Sequence, residues 1–179
     1  MRTFSLALIF MAFFSGWLRA DVYDEQRSGI KFPETIGTYK RGKATPYEVE
    51  PGKAGVAVAY ESDDAEVTIY VRALGDDAAK TSVYFLQDSL AGVKALEAQG
   101  KYSNVKIYES SPDKERPGWK SAAFTSSSTN RFLVSFIYCK VASDYVVKIR
   151  ASTGNPKNDQ LRSFIKSLQE MVDNAPKKS

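Results

Sequence analysis

Apolar residues recur along this chain with two different periods, and the order in which the periods alternate restricts the fold more than any other feature. From Val56 onward, apolar side chains fall at every second position: Val56, Val58 and Tyr60, then Val67, Ile69 and Val71. A period of two belongs to a strand buried on one face. The two runs are joined by the short acidic turn Asp63-Asp64, which makes them a hairpin. The period then lengthens. Val83, Leu86, Leu90 and Val93 recur at helical spacing, and Gly100 stops the run. This predicts a helix from about Ala78 to Gln99, with Asp76 and Asp77 placed at the positive end of its dipole.

Alternation returns at Val105 and Ile107, and after Pro112, Pro117 and Gly118 a further strand runs from Trp119 through Phe124. The polar stretch Thr125 to Asn130 reads as a turn. Phe132, Val134, Phe136 and Tyr138 alternate with Leu133, Ser135 and Ile137, so this run is apolar on both sides. A strand covered on both faces looks like that. Tyr145, Val147 and Ile149 form the last strand, and Asn155-Pro156 supplies an N-cap and first position for a closing helix. Its stripe is Leu161, Phe164, Ile165, Leu168, Met171 and Val172. Ahead of the hairpin, a short strand is expected around Ile36 to Lys40, with Gly42, Pro46, Pro51, Gly52 and Gly55 as turn markers. The expected fold class is α+β: a mainly antiparallel sheet packed with two amphipathic helices, in the order βββ-α-ββββ-α.

The N-terminus reads differently. Arg2 precedes the apolar run Phe4 to Phe14, and the small residue Ala20 stands before Asp21. A positive start, an apolar middle and a small residue at the cut describe a secretory signal peptide. The run is shorter than the roughly 20 residues a membrane anchor needs. The expected organisation is a signal peptide over 1–20, a lead-in over 21–31, one globular domain over 32–173 and a flexible tail over 174–179. Removal of the signal leaves 159 of the 179 residues, an ordinary single-domain length. No Cys lies near the cut, so the mature form is expected to be soluble and to carry no stable membrane anchor. The periplasm is the expected compartment, with full secretion as the alternative.

Composition narrows the chemistry. The chain has no His and one Cys. That removes His-dependent nucleophilic catalysis, His metal sites and His pH switches. Cys139 follows an apolar run and reads as a buried, inert thiol rather than a reactive one. The net charge of +4 falls to +2 once Arg2 and Arg19 leave with the signal, which gives no reason to expect a nucleic-acid partner. Ser126, Ser127 and Ser128 have neither a His nor a nucleophile elbow.

Several groups remain as candidates. Asp63-Asp64 and Asp76-Asp77 could supply oxygen ligands or a carboxylate pair for hydrolysis, but turn chemistry explains both. Tyr39, Lys40, Arg41 and Lys43 form one basic, aromatic group, and Lys114, Arg116 and Lys120 around Trp119 form another; solvated loops account for these. Tyr70 with Arg72, and Tyr108 with Lys106, are either interface anchors or the edge of a helix-covered core. The candidate interaction surface is therefore Tyr39, Lys40, Arg41, Tyr70, Arg72, Tyr108 and Trp119. No catalytic, cofactor-binding or metal-binding residue is assigned.

The phrase Phe32-Pro33-Glu34-Thr35-Ile36-Gly37, followed by Tyr47-Glu48 and Gly55-Val56-Ala57-Val58-Ala59-Tyr60, together with the element order, resembles the PsbP-like superfamily. Its exported bacterial branches include DcrB-like and LpqN-like domains, and the resemblance spans most of residues 30–173. It implies a small antiparallel sandwich that binds or assists other proteins without catalysis and without a cofactor. The leading expectation is thus a non-enzymatic domain that binds a protein of the cell envelope. The second is a binder of a small apolar or lipid-like ligand between helix and sheet, in a cavity lined by Phe132, Phe136, Phe164 and Tyr84. The third is a carboxylate-dependent hydrolase. The chain recovered from the periplasm of an expressing cell should begin at Asp21, read by intact mass and N-terminal sequencing; a recovered chain that keeps residues 1–20 would refute the cleavage.

Overall fold

The computed structural model describes residues 22–48, 54–109, 116–128 and 131–176. The signal sequence, the cut after Ala20, the turn markers Pro51 and Gly52, and Lys114 lie outside the described residues. The fold is α+β, with two helices packed on a mostly antiparallel sheet. Among the described residues, no helix is long and apolar enough to cross a membrane.

Strands β1 (Val22–Asp24) and β2 (Lys31–Pro33) pair with each other in a small ribbon that the lead-in was not expected to form. The buried Glu25 side chain holds the turn between them: its carboxylate accepts from the Ser28 amide at 2.7 Å and from the Ser28 hydroxyl at 2.6 Å. The main sheet has eight strands. These are β3 (Thr35–Ile36), β4 (Tyr39–Glu48), β5 (Ala54–Glu61), β6 (Ala65–Ala73), β7 (Ser103–Glu109), β8 (Lys120–Ser128), β9 (Arg131–Ala142) and β10 (Tyr145–Thr153). Their spatial order is β3-β4-β5-β6-β10-β9-β8-β7. Two antiparallel meanders therefore meet at the β6–β10 pair. Helix α1 (Ser82–Ala98) carries the chain from β6 to the far edge at β7, and α2 (Asp159–Asp173) follows β10.

The two helices lie on opposite faces. The α2 stripe of Leu161, Phe164, Ile165, Leu168 and Val172 packs on Val56, Val58 and Tyr60, on Val67, Ile69 and Val71, and on Tyr145, Val147, Ile149 and Ala151. These are the alternate residues of β5, β6 and β10 that share one face. Phe164 stacks on Tyr39 with centroids 4.0 Å apart and meets Tyr60 edge-on at 5.2 Å. The α1 stripe of Phe85, Leu86, Leu90 and Val93 packs on the other face, against Ala122, Phe124, Ile137, Cys139 and Val146. Strand β9 is thus apolar on both sides for the expected reason: Phe136 and Tyr138 face the α2 core, while Ile137 and Cys139 face α1.

Five local expectations are corrected. The strand expected around Ile36–Lys40 is split, and its main part continues through Gly42 and Pro46 as β4. Gly42 falls in an irregularity between Arg41 and Ala44, and beyond Lys40 this strand is paired on one side only by the described residues, which are the places a sheet tolerates Gly and Pro. Residues 125–128 continue β8, because Thr125 to Ser128 pair with Val134 to Arg131. The first helix starts later than Ala78, with Thr81 as its N-cap, since Gly75–Asp77 forms a 3-10 turn that buries Asp77. Val83, expected on the buried stripe, is 48% exposed, and Phe85 takes its place. The second helix is capped by Asn158, whose Oδ1 accepts from the Leu161 amide at 2.8 Å. Asn155 instead accepts from the Lys157 amide in the preceding turn.

Phe164 joins two strands to a helix through Tyr39 and Tyr60 and is 3% exposed, so Phe164→Ala should destabilise the chain by about 3–5 kcal/mol, measured by urea denaturation. A cost near the surface range of about ±0.5 kcal/mol would contradict this packing.

Candidate functional site

Because each helix covers only part of one face, two areas of sheet remain bare among the described residues. The first lies on the α2 face, over β8 and β7. Register places Tyr108 beside Ala123, Lys106 beside Thr125, and Phe132 beside Ser127. All six point to this face. Tyr108 is 53% exposed and Phe132 58%. Large side chains this exposed, Tyr108 on the edge strand and Phe132 at a recess that Asp63, Asp64, Glu66 and Arg131 also line, are features of a docking surface.

The second area lies on the α1 face, over β4, β5, β6 and β10, beside the helix. Here Tyr47, Tyr70, Arg72, Val146 and Lys148 form a floor, and Phe85, Asp88 and Ser89 of α1 form a wall, around a cleft of about 120 Å³. Gly55 makes room for the floor. A Cβ there would stand 2.8 Å from Cε1 of Tyr47, 2.8 Å from Cβ of Arg72 and 2.6 Å from the Val71 carbonyl. Tyr47 can therefore lie across β5 and meet Tyr70 edge-on at 5.7 Å. Lys148 sits over the Tyr70 ring, 4.6 Å from its centroid. The Arg72 guanidinium sits over Phe85 at 5.0 Å and bonds Asp77 at 3.1 Å, and Asp77 also takes Lys80 at 2.8 Å.

Burial sets the protonation of this area. It holds the Lys148 ammonium below the ordinary lysine value; the Cys139 thiol and Asp88 oppose that shift, and Arg150 and Arg72 add to it. Burial also pushes the Tyr47 phenol up to about 12, with Arg72 opposing. It pushes the Cys139 thiol up to about 12 as well, against the pull of Lys148 and Ser89.

The residues singled out in the sequence are scattered by the fold. Tyr39 and Trp119 are 1% and 2% exposed and belong to the α2 core. The Trp119 indole donates to Asp173 at 2.9 Å, and Arg116 donates to Gln169 at 2.7 Å, so the group around Trp119 fastens α2 rather than presenting a basic patch. Tyr39 to Lys43 do not form one patch either, because they sit on an alternating strand. Arg41 points to the α2 face and donates to the Phe32 carbonyl, while Lys40 is exposed on the other. Tyr70 and Arg72 share the cleft with Lys148. Tyr108 lies on the opposite face.

The acidic pairs stand at opposite ends of β6, a nine-residue strand and thus roughly 30 Å long. They cannot act together. Asp64 accepts from Nδ2 of Asn158 at 2.9 Å, which ties the hairpin to the start of α2. Among the described residues, no three His, Cys, Asp or Glu side chains converge as a metal site. The four residues expected to line one apolar cavity are also separated. Phe164 is in the α2 core, Phe136 packs beside it, and Phe132 and Tyr84 are exposed on opposite faces. A shallow groove of about 600 Å³ runs instead between α1 and β7, lined by Leu90, Ala91, Val105 and Ile107 with Gln87, Lys94 and Glu97. The Glu97 carboxylate accepts from the Val105 amide at 2.9 Å and pins the helix to that edge.

Sequence reasoning missed Lys148 and Tyr47. Lys148 alternates with Val147 and Ile149 as an ordinary solvent-facing residue would, and nothing local marks it as half-buried. The signal that could have found Tyr47 was Gly55 in an otherwise regular strand, which marks a close approach. No model of a known protein family matches the chain, and no curated protein matches it as a relative.

A thiol held up to about 12 stays protonated in the fold, whereas in the unfolded chain it ionises near its ordinary value of 9.0. The unfolded state therefore loses its proton first, and stability falls as pH climbs between those values, by about 1.4 kcal/mol per pH unit for this one group. Cys139→Ala should flatten that alkaline limb of the stability curve, and the native thiol should resist a disulfide reagent at pH 8. Prompt labelling without unfolding would contradict the burial.

Proposed function

We propose that this chain is a non-enzymatic domain, exported to the periplasm, that binds a protein of the cell envelope through the bare sheet area over β7 and β8. The observation that carries this reading is the placement of exposed Tyr108 and Phe132 with Ala123, Thr125 and Ser127 on one face of the sheet. The Tyr108 and Phe132 rings can be desolvated at an interface, and Lys106 between them with Asp63, Asp64, Glu66 and Arg131 beside Phe132 would supply the polar contacts around them. Export rests on the signal-like N-terminus. The α+β sandwich supports the resemblance to the PsbP-like superfamily.

A second reading has its own observation. The groove between α1 and β7 has the volume and the aliphatic floor to take a small apolar or lipid-like ligand. It is open, however, and Lys94 and Glu97 share its lining, so it ranks below the protein interface.

The test is a photo-crosslinking amino acid placed at Tyr108, at Phe132 and, as a control, at Lys166 on the exposed side of α2. In intact cells the first two positions should join the chain to the same protein and the third should not. Tyr108→Ser with Phe132→Ser should abolish that product while changing stability by only about 0.5 kcal/mol. Equal products at all three positions, or none at the first two, would refute the proposal.

A further inference from the structure

We propose that the cleft beside α1, around Lys148, Tyr47 and Tyr70, is a binding site for a small carboxylate carrying a single negative charge. This site is on the other face from the protein-docking surface and stands or falls independently of it.

The charge balance of the cleft selects the ligand. Three cationic side chains approach it: Lys148, Arg72 and Arg150. Arg72 shares the Asp77 carboxylate with Lys80, at 3.1 and 2.8 Å, and lies over Phe85. Arg150 donates to the Tyr102 hydroxyl and lies over the Tyr102 and Phe124 rings, each 5.8 Å away. Lys148 is half-buried and, among the described residues, sits over the face of Tyr70 at 4.6 Å. Among the described residues no carboxylate lies within salt-bridge distance of it; Asp88, the acid of the cleft wall, is exposed. An ammonium taken partly out of water attracts an anion strongly.

The rest of the lining decides which anion. The Tyr47 and Tyr70 hydroxyls accept and donate no hydrogen bond among the described residues, and the Tyr47 phenol, pushed up to about 12 by burial, stays a protonated donor at neutral pH. One ammonium and two phenols offer one positive charge and three donor groups, and the Asp88 carboxylate in the same lining opposes a second negative charge on the ligand. That matches a carboxylate, and it undercompensates a phosphate dianion. Phe85, Val146 and the two tyrosine rings give the remainder of the cleft an apolar surface. A volume of about 120 Å³ is roughly that of four water molecules, which fits an acid of three or four carbons. Gly55 keeps Tyr47 in place over the strand, so the cleft is built into the sheet rather than formed by loose surface side chains.

The experiment follows the side-chain signals of Lys148 by carbon-13 NMR in the purified chain, titrated separately with butyrate, butyramide and inorganic phosphate. Butyrate should give a saturable shift of the Lys148 signal with a Kd of about millimolar order. Butyramide, which has the same shape without the charge, should bind at least about tenfold more weakly, and phosphate should also bind more weakly. Read on the ring signals of Tyr70, which Lys148→Met retains, the butyrate response should be lost in Lys148→Met with the fold intact by circular dichroism, and Tyr47→Phe should weaken it a few-fold. If Lys148→Met fails to fold, the butyrate–butyramide comparison on the native chain still decides. Equal binding of the amide, tighter binding of phosphate, a response that survives in Lys148→Met, or no shift of Lys148 at tens of millimolar butyrate would each overturn the assignment.

Discussion

The antiparallel pairing of β6 with β10 matches Ala73 to Tyr145 at one end and Ala65 to Thr153 at the other. It joins two meanders that are otherwise separate. Each of its residues also takes a side. Val67, Ile69 and Val71 stand level with Ala151, Ile149 and Val147 and make the floor on which α2 lies. Their neighbours Thr68, Tyr70 and Arg72 stand level with Arg150, Lys148 and Val146. A slip of β10 by one residue would put Lys148 and Arg150 under α2 and turn Val147 and Ile149 to the other face. The burial of one set and the polarity of the other hold the register.

Both candidate surfaces follow from that pairing and from the helix placement. A sheet of eight strands is wider than one helix can cover, since strands lie about 4.8 Å apart and a helix is only about 10 Å across. With one helix on each face, at opposite ends of the sheet, some of each face stays bare. Over β7 and β8 the bare area is aromatic. Over β4 to β6 it meets the flank of α1, which turns a flat area into a cleft and removes water from Lys148. The same backbone plan thus yields a protein-like surface on one side and a small, charged recess on the other.

Much of this architecture was legible because periodicity is a local property. The α2 stripe from Leu161 to Val172 and the alternation of β5, β6 and β10 are readable in windows of a dozen residues. The local errors also have local causes. Pro46 and Gly42 read as turns because they usually are, and only their position on a sparsely paired strand makes them strand residues. The serines of β8 read as a turn because polarity is the sole cue until Phe132 and Leu133 are seen opposite them.

The sequence by itself determined the number of helices, the antiparallel character of the sheet and, apart from the exchange of Val83 for Phe85, the inward stripe of each helix, because backbone geometry fixes those periods. It also removed His-based chemistry by leaving His out. Only the tertiary structure decided which inward faces meet, and therefore that Tyr39 and Trp119 are core while Tyr108 is surface. It alone brought Tyr47, Tyr70 and Lys148 together from three strands. The physical reason is that strand order and helix placement are settled by the burial of the whole apolar set at once, a condition that no single segment carries.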